Sequence, residues 1–205
     1  MPKIVDKQEK RERILDAAFR ILARKGIGAV TIADIAEAAG VGKGTIYEYF
    51  RSKDEILVAS FRYFMSKAES HIADRLSPLT DPLEKLLAYF EGWKDMLSGE
   101  FLDYLEIVLD FWAESFRRKD ELPGMDIMTV YREYRRGVQD ILDECVSAGR
   151  LRPHDTCMSA SILLGAMDGL FLQYIMDRSL FDIRQAIDLM SRIVIDGLQP
   201  GEKEK

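Results

Sequence analysis

The stretch Thr31-Ile-Ala-Asp-Ile-Ala-Glu-Ala-Ala-Gly40-Val-Gly42-Lys43-Gly-Thr-Ile-Tyr-Glu-Tyr-Phe50 decides the fold. Thr31 is a good helix N-cap, and Asp34 three residues on makes nearly a capping box. Ile32, Ile35, Ala36 and Ala39 then recur on one helical face. Gly40-Val41-Gly42 interrupts that helix, because glycine accepts the left-handed backbone of a tight turn. A second short helix follows over Lys43–Phe50, with Ile46 and Phe50 four apart and pointing inward together. Gly44, Thr45 and Glu48 face away from the core, with Lys43 and Tyr47 on one flank and Tyr49 on the other. Helices this short cannot bury themselves, so they need a third. The pattern is a helix-turn-helix with Lys43–Tyr49 as its recognition segment.

These residue types suit DNA. A short helix enters the major groove by its N-terminal end, and Gly44 lets the backbone approach the groove floor. Thr45, Tyr47 and Tyr49 offer hydroxyls to phosphates or base edges, and Lys43 adds positive charge. The pattern also fits an αα-turn in an ordinary bundle, with the tyrosines as half-buried packing.

Outward from this centre, the chain reads as helices throughout. A first helix over Lys10–Lys25 carries Ile14, Ala17, Ala18, Ile21 and Leu22 inward and ends at Gly26. Met1–Lys10 reads as a polar arm. Ser52-Lys53-Asp54-Glu55 is a capping-box pattern that opens a helix over Lys53–Leu76. Further helices are expected over 82–97, 101–118, 126–148, 156–178 and 182–198, opened by Asp81 with Pro82, by Asp155 and by Asp182. The loops between them include Leu122–Pro123–Gly124. No alternating apolar run marks a strand. The expectation is an all-α chain of nine helices.

Charge is divided along the 205 residues, whose net charge is −6. Residues 1–53 balance to +4 and residues 54–205 to −10. Phosphate attraction thus lies where the helix-turn-helix lies. Cys145 and Cys157 form no Cys-x-x-Cys, so neither a disulfide framework nor a structural zinc is expected. The N-terminus has no apolar leader. The longest uncharged apolar-rich run, Thr156–Met167, is too short to span a bilayer. These features point to a cytoplasmic protein with no membrane partner. His71 and His154 are the only histidines, and there is no nucleophile elbow, phosphate-binding glycine loop or metal-ligand cluster. No enzyme, metal or cofactor is expected.

The segment Val41–Leu57, with Arg13–Gly26 and Thr31–Ala36 before it, resembles the TetR/AcrR family of bacterial transcription regulators. The resemblance spans Arg13–Leu57. It implies a helix-turn-helix domain over 1–53 and a ligand-binding and dimerisation domain over 54–205. It also implies DNA contacts by Thr31, Lys43, Gly44, Thr45, Tyr47, Tyr49 and Lys53, and a palindromic operator bound by a homodimer. In the second part, Ala160, Ser161, Gly165 and Gly169 permit close helix approach, and the last two helices hold more apolar surface than one face needs. They are the expected dimer contact. Methionines beside aromatic walls suit a cavity for a small apolar or amphipathic effector. Phe61, Phe64, Met65, Trp93, Tyr104, Val108, Phe111, Trp112, Tyr131 and Phe171 are the candidate lining. Asp103, Glu106, Asp110 and Glu114 follow one stripe. They read either as a solvated face or as the source of one carboxylate turned inward beside Trp112 and Tyr104 to hold a cation.

Overall fold

The computed structural model describes residues 2–97, 104–117 and 127–201. Phe101, Leu102, Asp103, the Leu122–Gly124 loop and Asp126 lie outside the described residues. The described residues hold nine helices and no strand: α1 Pro2–Lys25, α2 Ile32–Ala39, α3 Lys43–Tyr49, α4 Lys53–Leu76, α5 Pro82–Met96, α6 Leu105–Arg117, α7 Ile127–Ser147, α8 Thr156–Met176 and α9 Ile183–Leu198. They group into two units, one of Met1–Glu69 with Asp103–Ile127, the other of Ser70–Leu102 with Met128–Lys205.

The helix boundaries follow local chemistry. Thr31 and Asp34 form both arms of a capping box at the start of α2. Asp81 caps α5 through the amides of Leu83 and Glu84, with Pro82 at the first helical position. Asp155 caps α8 through Met158 N–H, and Asp182 caps α9 through the amides of Arg184 and Gln185. Two caps close in their own ways. Ser52 Oγ accepts from Glu55 N–H at 3.1 Å, but Glu55 reaches back one residue further, to Arg51 N–H at 2.6 Å. Gln185 returns to the Asp182 carboxylate rather than to its backbone.

The largest departure is at the N-terminus. α1 starts at Pro2, not near Lys10. Residues 3–9 contain no glycine or proline to stop a helix, and Pro2 suits a first helical position. A Gln8–Glu12 hydrogen bond of 2.7 Å, one turn apart, supports the extension.

The first unit packs α1, α2, α3, the first four turns of α4, and α6. Ile14, Ala18, Ile46 and Ile56 are fully buried there. Aromatic rings join α1, α4 and α6: Phe19 stacks on Phe64 at 4.2 Å, and Phe61 lies 4.5 Å from Phe111. Asp16 of α1 accepts from Lys67 of α4 at 3.2 Å. The second unit packs the end of α4 with α5, α7, α8 and α9. Leu86, Val138, Leu142, Ala160 and Ile187 are fully buried. At Gly92 a Cβ would meet Ile72 Cγ1 at 3.2 Å, so glycine is what lets α5 lie close to α4. Lys94 bridges Glu91 and Asp188, tying α5 to α9.

α8 buries Ala160, Leu163, Leu164 and Met167 on one side. On the other, Met158, Ile162, Leu172 and Met176 are exposed, and exposed Gly165 falls in the same stripe. α9 exposes Leu189 and Ile193 one turn apart. At 21 residues α8 is, among the described residues, the one helix long and apolar enough to cross a bilayer. The run read as ending at Met167 continues past it with Asp168 as its single charge.

Gly40 has φ +66°, and its N–H and that of Val41 close the end of α2 on the carbonyls of Ala36 and Glu37. Nothing lies near the Cβ position at Gly40 or at Gly44, so only backbone conformation separates the two sites. Gly40→Ala is expected to cost about 1–2 kcal/mol, the strain of a left-handed alanine. Gly44→Ala, inside α3 with an ordinary φ, is expected to gain about 0.5–1 kcal/mol. Denaturant midpoints of the two variants check both signs.

Candidate DNA interface and effector site

α3 is held by what it buries. Ile46 is fully buried and Phe50 nearly so. With those two inward, Lys43, Gly44 and Glu48 are exposed, Tyr47 is 58 % exposed, and Thr45 and Tyr49 are half-buried. Tyr47 is thus no packing residue of this unit. Five of the seven expected DNA contacts therefore sit on one short helix.

Thr31 and Lys53 are placed by other bonds. Thr31 Oγ1 donates to Asp34 Oδ2 at 2.7 Å and accepts from Asp34 N–H at 3.3 Å. Its proton is already given, so its first role is to set the start of α2. Lys25, at the end of α1, donates to Asp34 Oδ1 at 2.6 Å. Lys25 and then Thr31 hold the Asp34 carboxyl well below the usual carboxylate range. Lys53 Nζ donates to Gly28 O at 3.5 Å, which places the start of α4 beside the loop before α2. An ammonium has three donors, so two remain for other partners.

The ten expected effector residues divide between the units. Phe61, Phe64, Met65, Tyr104, Val108, Phe111 and Trp112 belong to the first. There Phe61, Phe64 and Phe111 are core, and Tyr104 meets Phe64 edge-on at 5.7 Å. Trp93, Tyr131 and Phe171 belong to the second, where they come together with three residues that the sequence reading did not select.

Those three are Tyr89, Tyr134 and Asp168. Trp93 lies 6.3 Å from Tyr89, 6.3 Å from Tyr134 and 5.8 Å from Phe171. Tyr131 Oη donates to Asp168 Oδ2 at 2.7 Å. Three helices each supply two residues one turn apart: Tyr89 and Trp93 from α5, Tyr131 and Tyr134 from α7, Asp168 and Phe171 from α8. Burial pushes the Tyr89 hydroxyl up to about 12; the nearby Trp93 N–H opposes the rise and the Asp168 charge adds to it. Burial likewise raises Asp168, against the lowering effect of Tyr131, and raises Tyr131, helped by Asp168. Tyr89 Oη and Trp93 Nε1 are buried, with no hydrogen-bond partner among the described residues. The cluster therefore presents aromatic faces, a carboxylate and two unused donors.

Of the two readings of the acidic stripe on α6, a solvated face or the source of an inward carboxylate, the described residues fit the first. There Glu106 and Asp110 are exposed, Glu114 pairs with Arg117 at 2.8 Å, and Asp103 lies outside the described residues. Asp168 supplies the inward carboxylate instead. Its signal was available: it is the single charge in the 21 residues of α8. Among the described residues no group of three metal-ligating side chains occurs.

Two short helices joined by the turn at Gly40, with one face of α3 exposed and a larger all-helical part following, are the architecture of a helix-turn-helix transcription regulator. The chain belongs to the TetR family: residues 14–60 match bacterial regulatory proteins of the tetR family, and residues 82–198 match the BetI-type transcriptional repressor C-terminal region. It is 31 % identical over 145 residues to the HTH-type transcriptional repressor KstR2 of Mycolicibacterium smegmatis, covering 70 % of this chain and 68 % of that protein. It is 30 % identical over 192 residues to the HTH-type transcriptional regulator BetI of Pseudomonas fluorescens, covering 91 % and 92 %. A putative transcriptional regulator from Saccharomonospora viridis, solved in complex with choline, shares the fold with a TM-score of 0.81 at 24 % identity, over 93 % of this chain and 98 % of that one.

Asp168 gives a test by pH. Its folded pKa is raised, so the folded state holds this proton more tightly than the unfolded chain does. Its contribution to stability must fall as pH rises from the unfolded value, near 3.8, through the raised folded one. Asp168→Asn keeps an acceptor for Tyr131 and removes the charge. The variant is expected to melt higher than the parent at neutral pH, with the difference vanishing as pH falls below the usual carboxylate range. Melting curves across that range check it.

Proposed function

We propose that the protein is a homodimeric repressor that leaves its operator when a small organic cation binds the Trp93–Asp168 cluster. The observation that carries the reading is the exposed face of α3, set by the turn at Gly40 and offering Lys43, Gly44, Thr45, Tyr47 and Tyr49 together. Lys53 flanks it and serves a phosphate, while Thr31, whose hydroxyl proton goes to Asp34, contributes by fixing the start of α2. Residues 1–53 act as the DNA-binding domain and 54–205 as the effector and dimer domain. Gel retardation with DNA from just upstream of its own gene is the direct test. Thr45 and Tyr49 should read bases: substituting either is expected to cost about 1–3 kcal/mol at the operator while sparing unrelated DNA.

The effector class follows from the cluster's chemistry. Aromatic faces attract a cation through their quadrupoles. Asp168, half-buried, supplies the opposite charge, and the Tyr89 and Trp93 donors suit an oxygen on the same molecule. The choline bound by the Saccharomonospora viridis relative is such a molecule. A cation next to Asp168 favours its ionised form, so affinity for choline is expected to weaken as pH falls through the raised Asp168 pKa. Asp168→Asn is expected to lose at least tenfold in choline affinity by calorimetry. An unchanged affinity removes the carboxylate from the site. Because coupling is reciprocal, operator DNA should weaken choline binding by the same factor that choline weakens operator binding, about 5–150-fold for typical couplings.

Dimer formation rests on the exposed stripes of α8 and α9. Two copies meeting there by a two-fold axis make a four-helix bundle that covers Met158, Ile162, Leu172, Leu189 and Ile193. Gly165→Glu places an unpaired charge in that stripe, and burying it is costly. Light scattering is expected to show monomer for this variant. An intact dimer moves the interface elsewhere.

A further inference from the structure

The helical extension of α1 ends beside the recognition helix, at its C-terminal side. Lys7 Nζ lies 5.9 Å from the centre of the Tyr49 ring, and Arg11 Cζ lies 5.2 Å from the Phe50 ring. Both distances are within the range in which a cation is drawn to a ring face. Lys7, Lys10 and Arg11 stand at i, i+3 and i+4, so three like charges share one face of α1. Among the described residues none of the three lies within ion-pair distance of a carboxylate. Their neighbours Asp16 and Arg20, further along α1, do pair, at 2.9 Å.

Like charges at this spacing repel. The arrangement is therefore one that an outside anion would relieve. The two rings fix where that anion must be: next to Tyr49, at the flank of the surface that α3 presents. Phe50 is nearly fully buried, so the Arg11 guanidinium that covers it is anchored, and the ammonium one turn before it is carried to the same edge.

We infer that Lys7, with Lys10 and Arg11 beside it, forms a further element of the DNA interface, gripping a backbone phosphate adjacent to the groove that α3 enters. The inference rests on the DNA-binding reading of α3. It adds contacts that position the protein and carry no base preference. It also accounts for α1 being helical two turns further than its apolar residues require: a rigid helix holds the charges at the phosphate, where a loose arm pays an ordering cost on binding.

The test is the salt dependence of binding to the operator and to unrelated DNA of the same length. Lys7→Gln is expected to lower the slope of log Kobs against log salt by about one unit on both DNAs. Arg20→Gln, which removes a charge of the same sign from the same helix but away from α3, is expected to leave the slope as it is. Melting temperatures show that both variants stay folded. A slope unchanged by Lys7→Gln, in a parent protein that binds with the usual salt dependence, overturns the inference and leaves the α3 reading standing. An equal drop for Arg20→Gln also overturns it, since net charge then explains the effect. A loss confined to the operator overturns it in favour of base reading by the arm. A parent that retards neither DNA removes the α3 reading and this inference together.

Discussion

A helix of seven residues does not hold itself together in water, because nucleation is costly and few bonds follow it. α3 exists because Ile46 and Phe50 are taken out of solvent, each burial being worth about 1.5–3 kcal/mol. Its direction is set one step earlier, where Lys25, Asp34 and Thr31 join the end of α1 to the start of α2 and Gly40 turns the chain. Every group on the exposed side of α3 inherits its position from these few bonds. The side chains that face outward do not build the helix, which leaves them free to be chosen for a ligand.

The second unit follows the opposite logic. There the polar groups lie inside, among rings. Asp168 and Tyr131 form a hydrogen-bonded pair that partly answers the cost of burial, yet both remain shifted toward their neutral forms. A carboxylate kept in that condition is worth more to an arriving cation than one already paired with lysine or arginine. α8, which carries Asp168, is apolar on two sides for two reasons: Ala160, Leu163 and Met167 meet the core, while Met158, Ile162 and Leu172 face outward.

The caps and stops were legible because they are local. Asp81, Asp155, Asp182, Gly26 and Gly40 each act on residues within four positions, so the sequence alone places the helices that they bound. The inward and outward faces of α1, α3 and α4 were legible as well, since period 3.6 sorts them. What periodicity does not show is which inward face meets which. Phe61, Phe64 and Phe111 look like pocket residues by type, and they fill the core of the first unit. Tyr131 and Asp168 are 37 positions apart, and nothing near either one announces the other. The start of α1 was missed for a related reason: residues 3–9 lack an apolar stripe, and the groups that steady them, the rings of Tyr49 and Phe50, arrive from across the turn.

The first unit is not continuous along the chain. It takes α6 from the middle of the segment that matches the BetI-type C-terminal region, and Phe111 and Tyr104 close over Phe19, Phe61 and Phe64. A head built this way is not a cassette. A gene fusion spliced in the loop between α4 and α5 would hand the new partner a DNA-binding module with its aromatic floor open to water. Substitutions inside α5, α7 and α8, by contrast, leave α6 and the head it completes untouched.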